Sequence, residues 1–145
     1  NDVVTSYDAH GYGLGWFQQQ ADGSFSERRI LGGPDDENPD GIYFSQLHAL
    51  AAADLDGDGL TDVVTGKRRW AHGPGGDPEP NAPPVLYWFR LVRDGAGNAT
   101  FEPHLIDDDS GVGTQVTVAD LDGDGRPDIA VANKRGVFAF RQRQR

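Results

Sequence analysis

The chain has 145 residues, a formal net charge of −10 and no cysteine. This length allows one domain with its own hydrophobic core. The acidic balance leaves no basic stripe of the kind that binds nucleic acid, and no apolar run is long enough for a membrane span. We therefore expect neither a nucleic-acid partner nor membrane insertion. Frequent glycine and proline, with no long helical periodicity, predict an all-β chain of short strands and turns.

A four-part pattern recurs along the chain. A short apolar strand leads into an Asp/Gly-rich loop, and a β-branched strand, an aromatic strand and a Phe-led strand follow. The aromatic strand is found at Leu14–Gln18, Leu86–Arg90 and Val137–Arg141. Four antiparallel strands are the content of one propeller blade, and such a sheet buries both faces only by stacking on other blades.

The repeats predict antiparallel four-stranded blades that form a fragment of a β-propeller over residues 1–145, about two and a third blades in all. Residues 1–47 are predicted to be the end of one blade, residues 48–113 a complete repeat, and residues 114–145 the start of the next. Other blades of the same propeller are therefore expected partners.

Two loops carry the strongest chemical signal. Residues 54–62 read Asp-Leu-Asp-Gly-Asp-Gly-Leu-Thr-Asp, and residues 120–128 read Asp-Leu-Asp-Gly-Asp-Gly-Arg-Pro-Asp. Carboxylates at positions 1, 3, 5 and 9, with the backbone carbonyl at position 7, supply only hard oxygen ligands, which select calcium over zinc or copper. We predict about two Ca²⁺ ions. The predicted ligands are Asp54, Asp56, Asp58, Leu60 and Asp62 in the first loop, and Asp120, Asp122, Asp124, Arg126 and Asp128 in the second.

Two other kinds of loop share part of this pattern. An EF-hand needs a bidentate glutamate at position 12, where this chain has Thr65 and Val131, and it needs flanking helices rather than strands. A solvated Asp/Gly turn without metal is the other alternative, and two nearly identical loops between strands make it the weaker one. Weak calcium sites suit a secreted, periplasmic or cell-surface location.

The sequence Ala-Asp-Leu-Asp-Gly-Asp-Gly-x-x-Asp, followed by Val-Val or Ile-Ala, resembles the FG-GAP or VCBS type of repeat, which also occurs in integrin α-subunit propellers. The resemblance implies β-propeller blades with calcium in the hairpin loop between the first two strands. Residues 8–17 and 65–73 look most like segments of large secreted proteins of planctomycete-type bacteria.

The function predicted from these features is a non-catalytic module that binds a protein or a polysaccharide, or that acts as a scaffold. The alternative is an enzyme, a polysaccharide lyase or hydrolase, with His48 and His72 as acid and base and Arg68 holding an anionic substrate. His10 and His72 occupy equivalent loops, and we favour loop anchoring for these histidines. Trp70 and the Pro/Gly-rich insertion at residues 73–84 are the candidate ligand surface.

Overall fold

The computed structural model describes residues 1–143, in which ten strands form three antiparallel sheets. The first sheet contains β1 (Val3–Ser6), β2 (Leu14–Gln19) and β3 (Phe25–Leu31). The second contains β4 (Leu50–Ala53), β5 (Asp62–Gly66), β6 (Leu86–Arg93) and β7 (Ala99–Asp107). The third contains β8 (Val116–Ala119), β9 (Asp128–Asn133) and β10 (Gly136–Phe140). The predicted all-β class is confirmed; residues 144–145 of the predicted third repeat lie outside the described residues.

Each strand pairs with the next one along the chain, and the register repeats from sheet to sheet. Val63 in β5 lies opposite Phe89 in β6. The equivalent pairs are Val3 with Phe17 in the first sheet and Ile129 with Phe140 in the third. Since side chains alternate between the two faces of a strand, an equal register places equivalent side chains on equivalent faces.

Two separate hydrophobic cores lie between the sheets. The first is built from the first and second sheets and includes Leu14, Leu31 and Phe89. The second is built from the second and third sheets and includes Val64, Leu86 and Val131, with the connecting residue Val112. The adjacent residues Val63 and Val64 of β5 therefore face different cores, as expected for a sheet that is covered on both sides.

The repeated Trp-Phe pairs follow the same alternation. Trp16 is buried in the first core, while Phe17 lies on the other face of its sheet, against Tyr7. Phe89 faces back into the first core, and Trp88 packs forward against the second. The tryptophan of each pair thus faces the following sheet, as expected from the alternation of side chains along a strand.

Among the described residues, no helix is long and apolar enough to cross a membrane.

Candidate metal-binding loops

The loop between β4 and β5 is built around the carboxylate of Asp54. Its Oδ1 accepts hydrogen bonds from the backbone amides of Gly57 (2.8 Å) and Asp58 (3.1 Å), and its Oδ2 accepts one from Gly59 (2.9 Å). Gly57 and Gly59 have φ angles of 79° and 86°, in the left-handed region that glycine adopts without a steric cost. The position-1 aspartate and the two glycines therefore fix the path of the loop.

Three carboxylates of this loop converge. One oxygen from each of Asp54, Asp56 and Asp58 lies within 4.8 Å of the others. The side chains of Asp56 and Asp58 are 22% and 28% exposed. Asp58 Oδ1 also accepts the backbone amide of Leu60 at 2.9 Å. Such a concentration of negative charge favours a bound cation.

The loop between β8 and β9 repeats this geometry. Asp120 accepts the amides of Gly123 (2.7 Å), Asp124 (3.1 Å) and Gly125 (2.8 Å). These hydrogen bonds stabilise the ionised carboxylate and hold the pKa of Asp120 below its usual range, and the bond from Gly125 has the largest effect. The Arg126 amide binds Asp124 Oδ1 at 2.9 Å, as the Leu60 amide binds Asp58 in the first loop.

The three carboxylate oxygens that converge in the second loop are a different set. They belong to Asp120, Asp122 and Asp128, and they lie within 4.8 Å of one another. The predicted ligands Asp124 in this loop and Asp62 in the first loop are outside these two groups of three. The two loops are nevertheless equivalent in backbone, since both turns rest on the same amide bonds to their first aspartate.

The position-9 aspartates have a second role in the fold. Asp62 is fully buried, and its Oδ2 accepts the amide of Leu55 (3.0 Å) while its Oδ1 accepts the amide of Leu91 on β6 (2.9 Å). Asp128 makes the same pair of bonds with Leu121 (2.9 Å) and Gln142 (2.9 Å). Each of these carboxylates therefore ties the start of its loop to the third strand of the repeat or the residues just after it.

Arginine side chains lie against both loops. Arg90 Nε is 2.5 Å from Asp56 Oδ2, and Arg90 Nη2 is 3.1 Å from Asp58 Oδ2. In the second loop Arg126 contacts Asp124, and Arg141 Nη1 lies 3.7 Å from Asp122 Oδ2. Arg90 and Arg141 occupy equivalent positions, at the end of the repeated aromatic sequences Leu86–Arg90 and Val137–Arg141. The alignment of the repeats could therefore have predicted that an arginine lies against each loop.

The residues predicted for catalysis or ligand binding lie at the opposite end of the sheets from the aspartate loops, because consecutive hairpins of an antiparallel sheet alternate between its ends. His48 and Arg68 are in contact there, with Arg68 Nη1 3.4 Å from His48 Nδ1. The ring of His10 packs between those of His48 and His72. Asp77, which the sequence analysis did not single out, contacts the imidazoles of His10 and His72.

Trp70 borders an open pocket of about 420 Å³ at that end. The Arg69 guanidinium lies over its ring at 4.8 Å, and its Nε1 donates to the carbonyl of Pro80 at 2.7 Å. The insertion at residues 73–84 is thus bound to the loop that carries Trp70.

Stacked antiparallel sheets with equal registers, and an aspartate loop between the first two strands of a repeat, define a β-propeller-type repeat module. A family model for the FG-GAP repeat matches residues 47–77 and 112–142, and the chain therefore carries two FG-GAP repeats. Each matched segment contains one complete aspartate loop with a strand on either side. A search of the curated proteins found no match to this chain.

Proposed function

We propose that this chain is a non-catalytic, calcium-binding part of a propeller in a secreted or cell-surface protein. The observation that carries the proposal is the convergence of three carboxylates in each of two equivalent loops. Calcium accepts six to eight oxygen ligands at about 2.3–2.6 Å, from carboxylates, carbonyls and water. The proposed ligands are those predicted from the sequence, including the carbonyls of Leu60 and Arg126.

The proposed role of calcium is structural rather than catalytic. It neutralises the carboxylate cluster and holds the hairpin turn, so that binding stabilises the folded state over the unfolded chain. At calcium a hundredfold above Kd, each site contributes about 2.7 kcal/mol. For a domain of this size that corresponds to a rise in melting temperature of about 5–11 °C per site.

Calcium titration calorimetry tests the proposal directly. We expect about two ions per chain, and about one in each of Asp56→Asn and Asp122→Asn. Both substituted carboxylates are on the surface of their loops, so the fold is expected to survive. Asp35→Asn is the matched control, because it removes the same charge from an exposed loop outside the two clusters. The absence of calcium binding, or two ions in both loop variants, would contradict the proposal.

The proposed partner is a protein or polysaccharide that binds at the other end of the sheets. The pocket beside Trp70 supports this choice, since it combines an aromatic ring with the charged groups of Asp109 and Arg135. Aromatic rings with nearby hydrogen-bonding groups are a common lining of ligand pockets. Further blades would cover the outer faces of the first and third sheets, where Phe25 is 49% exposed and Val137 is 80% exposed.

The alternative function is a propeller-based polysaccharide lyase or hydrolase. The contact between His48 and Arg68, with His72 close by, is the observation that favours it. Loss of polysaccharide cleavage in His48→Gln and His72→Gln, with calcium binding unchanged, would support this alternative. Absence of cleavage by the unsubstituted protein would exclude it for the polysaccharides assayed.

A further inference from the structure

Two histidines and one aspartate meet where the connections of the first two sheets approach each other. His10 lies in the connection from β1 to β2, and His72 and Asp77 lie in the connection from β5 to β6. These are equivalent connections of consecutive repeats, and each histidine stands in an Ala-His-Gly sequence. The residues therefore meet across the boundary between two sheets.

The donor atoms of this group are already close together. Asp77 Oδ1 is 3.1 Å from His10 Nδ1 and 2.8 Å from His72 Nδ1. The two imidazole rings are stacked, with centroids 4.4 Å apart and planes 19° apart. Two ligands of one tetrahedral zinc ion, each bonded at about 2.0–2.1 Å, lie about 3.3 Å from each other. The two oxygen–nitrogen distances are within about half an ångström of that value, and the three donor atoms lie within 4.8 Å of one another. To bind one ion, the stacked imidazoles would have to turn about their Cβ–Cγ bonds until both Nδ1 lone pairs point at it.

The aspartate is held in place independently of the imidazoles. Its side chain is 1% exposed, and its Oδ2 accepts the backbone amide of His72 at 2.8 Å. Because Oδ2 is held by this backbone amide, Oδ1 is directed at the two imidazoles and is the carboxylate oxygen available to a ligand between them.

We propose that His10, His72 and Asp77 form a binding site for a divalent transition-metal ion of the zinc class, which joins the first two sheets. Two imidazole nitrogens and one carboxylate oxygen are ligands that suit zinc, whereas calcium and magnesium prefer oxygen alone. The His10 and His72 side chains are 39% and 62% exposed, so the ion has a path from solvent. The site is distinct from the aspartate loops in both position and donor chemistry.

His48 packs beside the site. Its ring meets that of His10 edge to face, with centroids 4.4 Å apart. Because the Arg68 guanidinium can only donate, the nitrogen it contacts, His48 Nδ1, is the acceptor and Nε2 carries the proton. The Nε2 atom is buried and has no hydrogen-bond partner among the described residues.

Zinc titration in saturating calcium tests this site without interference from the loops. We expect one zinc ion per chain, and a loss of affinity of about tenfold or more in each of His10→Gln and His72→Gln. Glutamine can still donate a hydrogen bond to Asp77 but is a poor zinc ligand, so it separates metal binding from loop anchoring. His104→Gln is the matched control, because His104 packs on Trp88 and lies outside the cluster.

The outcomes that overturn the proposal are defined by the same titration. They are the absence of zinc binding at micromolar concentration, or equal zinc affinity in the unsubstituted protein and both glutamine variants. A loss of affinity in His104→Gln as large as in His72→Gln would also overturn it. Melting curves in chelator establish that the variants are folded. Asp56→Asn and Asp122→Asn alter only the proposed calcium loops, so their zinc affinity should be unchanged. The zinc site can therefore fail or succeed independently of the calcium sites.

Discussion

The Oδ1 atom of Asp62 accepts a hydrogen bond from the backbone amide of Leu91, 2.9 Å away on β6. The same bond recurs between Asp128 and Gln142, and between Asp2 and Gln19. Asp2 makes this bond at the equivalent position of the first sheet, directly before Val3 of β1. The position-9 aspartate is thus a structural residue of every repeat, whether or not it also binds calcium.

Asp62→Asn should destabilise the protein even without calcium. The asparagine amide group can accept through only one atom, so either the Leu55 or the Leu91 amide loses its partner inside the protein. We expect a loss of about 1.5–3 kcal/mol in the free energy of unfolding, measured by urea denaturation in chelator. Asp35→Asn is the control for the change in net charge. A loss below about 0.5 kcal/mol, the range of ordinary surface substitutions, would contradict this role.

Arg90→Gln should raise the calcium affinity of the first loop. The guanidinium occupies oxygens of Asp56 and Asp58 and repels an incoming cation. Since exposed ion pairs contribute only modestly, we expect an increase of about two- to fivefold in the association constant, measured by calorimetry. Arg93→Gln removes the same charge from an exposed position on the same strand and is the control. Equal affinities in the two variants would show that Arg90 does not compete for the site.

Tyr7→Phe should reduce the loss of stability at alkaline pH. Burial of the hydroxyl and its hydrogen bond to Glu27 raise the pKa of Tyr7 to about 12, above the value near 10 of an unfolded chain. This contribution is fully present below pH 10 and is lost as the pH rises towards 12. The free energy of unfolding of the variant should therefore fall less steeply across that window.

The control for Tyr7 is Tyr43→Phe, because Tyr43 is exposed to a similar degree and its hydroxyl makes no side-chain hydrogen bond among the described residues. Tyr43→Phe removes a tyrosine hydroxyl but leaves the bond between Tyr7 and Glu27 intact, so it is the reference for the Tyr7 variant. Parallel profiles for the Tyr7 and Tyr43 variants would contradict the assignment.

Gly66→Ala should disturb the central sheet. A Cβ atom at Gly66 would lie 2.1 Å from the backbone carbonyl oxygen of Val85, so β5 and the chain that enters β6 would have to separate. We expect a loss of about 1–3 kcal/mol, measured by urea denaturation. Gly95→Ala is the control, since a Cβ there meets no atom within 4 Å. A Gly66 variant as stable as the Gly95 variant would show that the sheet can adjust.

The sequence by itself determined those features of the protein that depend only on residues close together along the chain. The all-β class, the strands around each aspartate loop and the alternation of Trp16 with Phe17 follow from side-chain patterns only a few residues long. The common register is a finding of the structure, since the connection before the aromatic strand differs in length between the repeats: Ser6 to Leu14, Gly66 to Leu86 and Asn133 to Gly136.

Only the tertiary structure decided which distant side chains meet. His10 and Asp77 are 67 residues apart, and Arg90 lies 34 residues beyond Asp56. Whether such pairs touch depends on how the sheets stack and on the path of the insertion that carries Asp77, and no local pattern encodes either. The insertion looked like a surface loop in the sequence, yet its Asp77 is buried because it returns to the boundary between two sheets. Local patterns fix the elements of a repeat protein, while packing between repeats creates the sites that they share.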